Sequence, residues 1–600
     1  MDNIITKKKI NELKENFRIP LYQREYAWSV DEVSQLIDDL ETFTKKTKDK
    51  EYFLGNIVVT KNGDFLDVID GQQRLTTLYL MLKAIGEKNF SLKYEIRKED
   101  EDFLEKGDFL TPTNTFKEVV EYLKNQKEIE RLIKNIVITL TIIPRDIDVV
   151  KYFEVMNNRG KQLEKHQILK AKFLKALEKK DYNYAKIWDY CSLMDTTIEE
   201  LIYYNDIPTK NKKKEKTHFQ IRETLLQKFS YDKAFKGNFS NNLKTINTLL
   251  SENENNVKYE NNSIKEYRAI IKFPIFLIQV LKIFIANKLP KENQKKFQNL
   301  NNIVVNDRYL LDYFHTDKMH NDFLFDDENL AKDFMLFLLK MRILFDYFIF
   351  KRDKEEKPFF IGRENKNLLM IELLFNVSAP QYFSQDWIVL LLNYLDNENK
   401  IDFNIDNTLV TYLEKIDNEL SKIRLSETKI IEYINDKLKN ININIQLEKE
   451  LDVILSKGVS TPHYWFYKLD YLLWKNYDFK QKFKSSFSNL NYSKITNSFR
   501  LSRLNSIEHI YPQSKANSFE QDTCKMDNFG NLALISNHMN SALIDKDYQN
   551  KRLKIQEQIN NKTIESLKMI LVYSKYENWN EKNCQEHQKE MIKILTSSLI

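Results

Sequence analysis

Cysteine, glycine and proline are all scarce in this chain, and each scarcity removes a class of protein. The 600 residues hold three cysteines, Cys191, Cys524 and Cys584, with no CxxC among them. An odd, scattered set argues against a disulfide framework or a thiolate zinc site and suits a reducing cytoplasm. Ten glycines and ten prolines favour long helices with short connections over an all-β architecture. No apolar run reaches the roughly 18 residues of a membrane span. The nearest, "YRAIIKFPIFLIQVLKIFIANKL", is broken by lysines and a proline and reads as a buried core helix. The first residues, "MDNIITKKKINELKENF", carry charge where a secretion signal needs an apolar stretch. A cytoplasmic protein without a membrane partner is expected. No Walker A loop occurs, which excludes a P-loop NTPase.

With 42% hydrophobic and 30% charged residues the chain can bury real cores. Its length exceeds the about 250–300 residues at which one core stops growing, so several domains are expected. The formal charge of +6 permits nucleic-acid binding through local basic patches without requiring it.

Mixed α/β signals are concentrated at the start. In "EYFLGNIVVTKNGDFLDVIDGQQR" two β-branched runs flank Asn62-Gly63, a strong hairpin signal. Leu75, Leu78, Leu82 and Ile85 then recur at helical spacing. Further strands are predicted at "LKYEIRK" and "NIVITLTIIPR", and a helix from about Asp146 through "VVKYFEVMNN". Between residues 181 and 450 amphipathic helices alternate with polar breaks. The lysine run in "NDIPTKNKKKEKTH" reads as a solvated linker. An aromatic-rich helix in "STPHYWFYKLDYLLWKNYDF" opens the last part. The expected fold class is α+β and predominantly helical. Its expected domains are an α/β domain over 1–180, a helical region over 181–450 and a smaller domain over 451–600.

Histidine is rare too, eight in all, and His509 stands in "SIEHIYPQS". Phosphodiester hydrolysis needs an activated water, a divalent cation against phosphate oxygens and a geometry that aligns them. Histidine can accept a proton near neutral pH. A short strand would send Glu508 and His509 to opposite sides, so both serve one site only if it is twisted or turned, which Pro512 promotes. Downstream, "DNFGNLALISNHMNSALIDKDYQNKR" reads as a turn at Gly530-Asn531, a strand, and one helix capped by Ser536. Two strands and a helix would form a ββα unit. Any of these residues alone is an ordinary turn or surface position more often than a site.

In the first domain, "FRIPLYQREYAWSVDEV" places Gln23 and Arg24 before a helix capped by Ser29 or Asp31. Tyr26 and Trp28 read as core. "DVIDGQQRLTTLYL" sets Asp70, Gly71, Gln72, Gln73 and Arg74 at a strand-to-helix junction, where backbone N–H groups and the helix dipole attract anions. "YFEVMNNRGKQLEKHQILKAKFL" adds Asn157 and Arg159 at a helix end. Arginine can grip phosphate bidentately, Gln and Asn can read a base or ribose, and Asp70 can hold a metal or orient water. A buried hydrogen-bonded network is the alternative for these groups.

The set "EHIYPQ", "NFGNLALI", "NHMNSAL" and the following lysine resembles the HNH nuclease domain at the C-terminus of the GmrSD restriction endonucleases. The stretches "IPLYQREYAW", "FLGNIVV", "DGQQRLTTL" and "NNRGKQLEKHQILKAKFL" resemble that family's DGQQR domain, which is related to the ParB/sulfiredoxin fold. In "NNRG", Asn158 stands where the family often has Thr or Ser. The resemblance implies a ββα-metal domain with His509 as general base, Glu508 and Asn540 as ligands of Mg²⁺ or another divalent cation, and Asn531 ordering the loop. It also implies that Lys551 touches phosphate. His538 competes for the last ligand position, but Asn540 keeps the better register. Tyr22, Gln23, Arg24, Asp70, Gly71, Gln72, Gln73, Arg74, Asn157 and Arg159 are implied to bind a nucleoside triphosphate (GTP, UTP, CTP or ATP), which the domain is implied to hydrolyse. The expectation is an NTP-controlled, modification-dependent (type IV) anti-phage endonuclease acting on double-stranded, modified phage DNA, with a homodimer as a further expectation. The alternatives are a nucleotide-regulated DNA-binding module with an inactive nuclease domain, and a toxin-like nuclease without modification specificity.

Overall fold

The computed structural model describes residues 4–20, 23, 26, 28–47, 50–95, 115–126, 128–144, 164–177, 182–205, 267–289, 303–316, 322–378, 385–397, 406–423, 427–438, 448–475, 492–512, 526–544 and 546–598. The helix predicted from Asp146 through "VVKYFEVMNN", the lysine-rich linker, Cys524 and the site candidates Tyr22, Arg24, Asn157 and Arg159 lie outside them. The fold is α+β and predominantly helical, as expected. Two compact units divide the chain. The first takes Met1–Val280, Leu289–Gln298 and Asp307–Asp346; the second takes Leu281–Lys288, Asn299–Asn306 and Tyr347–Ile600.

The first unit is built on a six-stranded mixed sheet. Its strands are β1 (Ile4–Lys9), β2 (Asn16–Ile19), β3 (Tyr52–Asn62), β4 (Phe65–Asp70), β5 (Ser91–Tyr94) and β6 (Ile136–Ile143), in the order β1-β6-β3-β4-β2-β5. β3 and β4 form the expected hairpin, but Asn62 pairs with Phe65, so Gly63-Asp64 is the two-residue loop rather than Asn62-Gly63. Gly63 takes φ +65°, the left-handed conformation that such tight turns require. Helices α1 (Val30–Lys46), α2 (Gln72–Ala84), α3 (Thr115–Lys124) and α4 (Ile129–Ile133) pack together over this sheet's core. Ser29, not Asp31, caps α1 in a capping box with Glu32. α2 is buried almost all round, including Thr76 and Thr77. Tyr26 is core, its hydroxyl 2.8 Å from Thr77 Oγ1, and Trp28 packs against that core.

The apolar "KFPIFLIQVLKIFIAN" stretch forms a helix over Phe273–Asn287, with Pro274 in its first turn, where a missing N–H costs nothing. No helix among the described residues is long and apolar enough to cross a membrane.

In the second unit, α5 (Lys366–Ser378) packs on α6 (Asp406–Ile423) and on α7 (His463–Lys475), the aromatic helix. α7 in turn packs against a small β-hairpin of β7 (Ser506–His509) and β8 (Leu532–Ile535), and against two C-terminal helices. The region predicted as one helix after β8 is two, α8 (Asn537–Leu543) and α9 (Tyr548–Asn561). Ser536 caps the first as expected, but Ile544 turns extended, and the Asp547 carboxylate accepts from Asn550 N–H at 2.9 Å to start the second. Lys551 therefore lies at the beginning of a new helix, not near the end of the old one. The C-terminal helices are α10 (Leu567–Lys575) and α11 (Glu581–Ser597).

α7 fastens the hairpin from behind. The Tyr467 hydroxyl accepts from Leu504 N–H at 2.6 Å and donates to Leu504 O at 3.0 Å, two residues ahead of β7. The Asp470 carboxylate accepts Lys568 N–H at 2.8 Å at the head of α10. The buried Lys568 ammonium donates to the carbonyls of Phe529 and Leu532, on either side of Asn531.

Candidate functional site

β7 and β8 pair antiparallel, with Glu508 opposite Ala533 and His509 opposite Leu532. Alternation along β7 sends Glu508 and His509 to different faces, and each finds its own partner. The Glu508 Oε1 accepts from Lys551 Nζ at 2.5 Å, and the same ammonium donates to His509 O at 2.6 Å. His509 Nε2 lies 2.8 Å from Asp527 Oδ1. An ionised carboxylate only accepts, so Nε2 carries the proton and Nδ1 is the basic nitrogen of the ring.

Asn531 is fully buried and ties the two sides of that pair together. Its Oδ1 accepts from Tyr511 N–H at 2.9 Å, two residues beyond His509, and from Trp579 Nε1–H at 3.0 Å. Its Nδ2 donates to Met526 O at 2.8 Å, the residue before Asp527. Its own carbonyl accepts from Ile510 N–H at 2.8 Å. The amide therefore sets the spacing between the chain carrying His509 and the chain carrying Asp527.

Asn540, on α8, donates from Nδ2 to Ser506 Oγ at 2.7 Å. Ser506 and Glu508 share a face of β7, so the Asn540 amide and the Glu508 carboxylate stand on the same side of the strand. His538, the competing candidate, is exposed on α8. Among the described residues no group of three or more His, Cys, Asp or Glu side chains could hold a metal ion. A carboxylate and an amide oxygen are hard donors, and Mg²⁺ binds through as few as one or two carboxylates while keeping its waters. The donor types suit such a cation, but Lys551 already holds Glu508 Oε1, and the pair stands on the face of β7 opposite His509. That ammonium already neutralises Glu508 where their side chains are only 2% and 9% exposed, so Lys551 acts on the carboxylate and strand first.

In the first unit, Gly71 caps α2 in the left-handed conformation, φ +90°. Its Cβ-less backbone lies against Asn56 O, where an added Cβ would come within 2.9 Å. Asp70 Oδ2 accepts from Arg74 Nη2 at 3.1 Å, with side chains 44% and 27% exposed, and the Arg74 guanidinium crosses Gly55. Gln72 is buried and Gln73 half-buried. Gln23 is buried, and its Nε2 donates to Ile69 O at 2.7 Å and Val68 O at 3.3 Å, an anchor on β4. Asp70 and Arg74 thus present charge beside the start of α2, while Gln23 supports the strand beneath them.

Two regions match family models: residues 2–174 the GmrSD restriction endonuclease N-terminal domain, and residues 455–594 the GmrSD restriction endonuclease C-terminal domain. The chain belongs to the GmrSD restriction endonuclease family. No curated protein matches it. The GmrSD assignment makes it a nuclease of phage restriction, with DNA as substrate. The C-terminal GmrSD region contains Glu508, His509, Asp527, Asn531, Asn540, Lys551 and Trp579; the N-terminal one contains Gln23 and Asp70 to Arg74. Sequence reasoning missed Asp527 and Trp579. Asp527 had a faint signal, an acid four positions before Asn531, whereas Trp579 sits in a polar stretch, "YENWNEKN", that offers none.

Proposed function

We propose that this GmrSD protein is an HNH-type, divalent-metal-dependent DNA endonuclease, gated by a nucleoside triphosphate at its N-terminal domain. We further propose that it acts in the cytoplasm on phage DNA carrying modified bases. The observation that carries the reading is the His509–Asp527 pair at 2.8 Å, held by Asn531.

In this reading His509 Nδ1 takes the proton of the attacking water as the new O–P bond forms and the scissile P–O bond breaks, the leaving oxygen taking its proton from solvent. Asp527 keeps the ring in the required tautomer and stabilises the imidazolium that results. Glu508 and Asn540, on the face of β7 opposite His509, would hold a divalent cation, which would supply electrostatic stabilisation of the phosphate oxygens once a turn beyond β7 brings both faces to one phosphate. Lys551 neutralises Glu508 and fixes the end of β7. Asp70 and Arg74, with Gln72, Gln73 and the Gly71 turn, take the triphosphate at the start of α2. Tyr22, Arg24, Asn157 and Arg159 are proposed to complete that site. A nucleotide can control cleavage only through unequal affinity for two states of the chain.

The test is cleavage of phage DNAs with and without modified bases, in Mg²⁺, with and without each NTP. Wild type should cut modified DNA in an NTP-dependent way, and His509→Ala should not. Equal cutting by His509→Ala would remove the active-site assignment. Cutting that ignores base modification would leave a nuclease without modification specificity. NTP hydrolysis at the wild-type rate by Asp70→Ala would remove the nucleotide site.

A further inference from the structure

The carboxylate that holds His509 is itself half in solvent: the Asp527 side chain is 51% exposed. A carboxylate so placed can turn into water at little cost, so something must confine it if it is to serve a histidine. The structure assigns that role to Gly458, which we infer to be a positioning residue for the nuclease reaction, acting through Asp527; this rests on the proposed role of His509.

Gly458 begins a 3₁₀ turn, Gly458–Ser460, just ahead of the aromatic helix α7. Its φ is +59°, in the left-handed region that residues with a Cβ adopt only at a cost. A Cβ added there would stand 2.8 Å from Asp527 Cβ, 3.2 Å from Oδ2 and 3.3 Å from Cγ. The bare backbone of Gly458 is therefore the wall against which the Asp527 side chain lies. The nearest atom is Asp527 Cβ, next to the main chain, so a collision there cannot be relieved by rotating the carboxylate alone. Any side chain at 458 must push Asp527 as a whole, and the carboxylate reaches His509 from that position.

The wall is firm. Gly458 is buried, and its carbonyl accepts from Thr461 N–H at 3.0 Å, while Ser460 N–H donates to Lys457 O at 3.1 Å. Thr461 is buried at the start of α7, and α7 grips Leu504 through Tyr467. One helix thus fixes β7 from one end and presents the glycine that confines Asp527 from the other. On this side the half-exposed acid fits because a backbone without a side chain leaves room for it.

The experiment compares single-turnover DNA cleavage in Mg²⁺ by full-length wild type, Asp527→Asn, Gly458→Ala, Gly458→Asn and the double variant Gly458→Ala/Asp527→Asn. Asn tolerates left-handed backbone better than Ala but still carries a Cβ, so it separates crowding of Asp527 from backbone strain. Both glycine variants should cleave about 100-fold more slowly, the loss expected when a reacting group is misplaced by about 1 Å. The double variant should be no slower than Asp527→Asn alone, because both changes remove one interaction. Nitrogen NMR of the histidines should show His509 held as the Nε2–H tautomer in wild type, and losing that preference in Gly458→Asn as in Asp527→Asn. Wild-type cleavage by Gly458→Asn, or losses that multiply in the double variant, would overturn the role of Gly458. Wild-type cleavage by Asp527→Asn would instead overturn the proposed reaction on which it rests.

Discussion

Asp527 places a carboxylate oxygen 2.8 Å from Nε2 of His509, across a gap of 18 residues bridged by a single asparagine. A histidine with one nitrogen held by a carboxylate has its other nitrogen defined as the base. His509→Ala should abolish DNA cleavage, and Asp527→Asn should lower its rate by up to about 10⁴-fold with DNA affinity little changed. Single-turnover cleavage alongside gel-shift binding checks both, and an equal fall in binding would count against an orienting role.

The buried Lys551–Glu508 pair predicts a stability effect that a surface phosphate contact would not produce. Lys551→Met leaves a buried carboxylate unpaired and should destabilise the second unit by about 3–5 kcal/mol. Glu508→Gln/Lys551→Met removes both charges and should recover much of that loss. Denaturant unfolding of the three proteins decides. Wild-type stability for Lys551→Met would assign the lysine to DNA contact alone.

Asn531→Ala should both destabilise and inactivate. It strands the Tyr511 N–H and the Trp579 indole N–H in the interior, a cost on the order of 3 kcal/mol together. Trp579→Phe removes the indole donor and some ring volume packed against Tyr548, Tyr576 and His587, and its cost should be about 1–2 kcal/mol. Thermal melts rank the two; a larger effect from Trp579→Phe would show that the indole packing outweighs the asparagine clamp.

Acid should weaken the fold through His587. Burial, with Lys568 and Lys575 adding repulsion, holds this histidine well below the usual imidazole value of 6.5. Below that pH the unfolded chain binds a proton that the folded chain refuses, so stability falls as pH drops. One site contributes at most about 1.4 kcal/mol per pH unit. His587→Leu, which cannot be protonated, should show a shallower loss between neutral and mildly acidic pH. Melting temperatures across that range test it, and identical slopes would remove His587 as a source.

In the first unit the partly exposed Asp70–Arg74 pair should add little stability, at most about 1 kcal/mol. Asp70→Ala should therefore fold normally while losing NTP hydrolysis. Gln23→Ala, which frees two buried β4 carbonyls, should instead cost roughly 1–3 kcal/mol. Unfolding curves and phosphate release separate the two residues.

By itself the sequence determined the broad α+β, helix-rich class, the β3–β4 hairpin, the cap at Ser536 and a core helix in the apolar stretch around Phe273–Asn287; it left the cap of α1 between Ser29 and Asp31. These are local matters of periodicity, turn chemistry and capping, written within a few neighbouring residues. It also made the family legible through short motifs at Asp70 to Arg74 and around His509. It could not decide the split of the last region into α8 and α9, which turned on an extended Ile544 and a new cap at Asp547. Nor could it set Lys551 on Glu508, bring Asp527 to His509, seat Trp579 on Asn531 or lay Gly458 against Asp527. Those pairs lie 18 to 69 residues apart, and a polar group chooses its partner only after packing has taken both from water. The motif named the histidine; the packing of α7, α9 and α11 around one short hairpin decided what it can do.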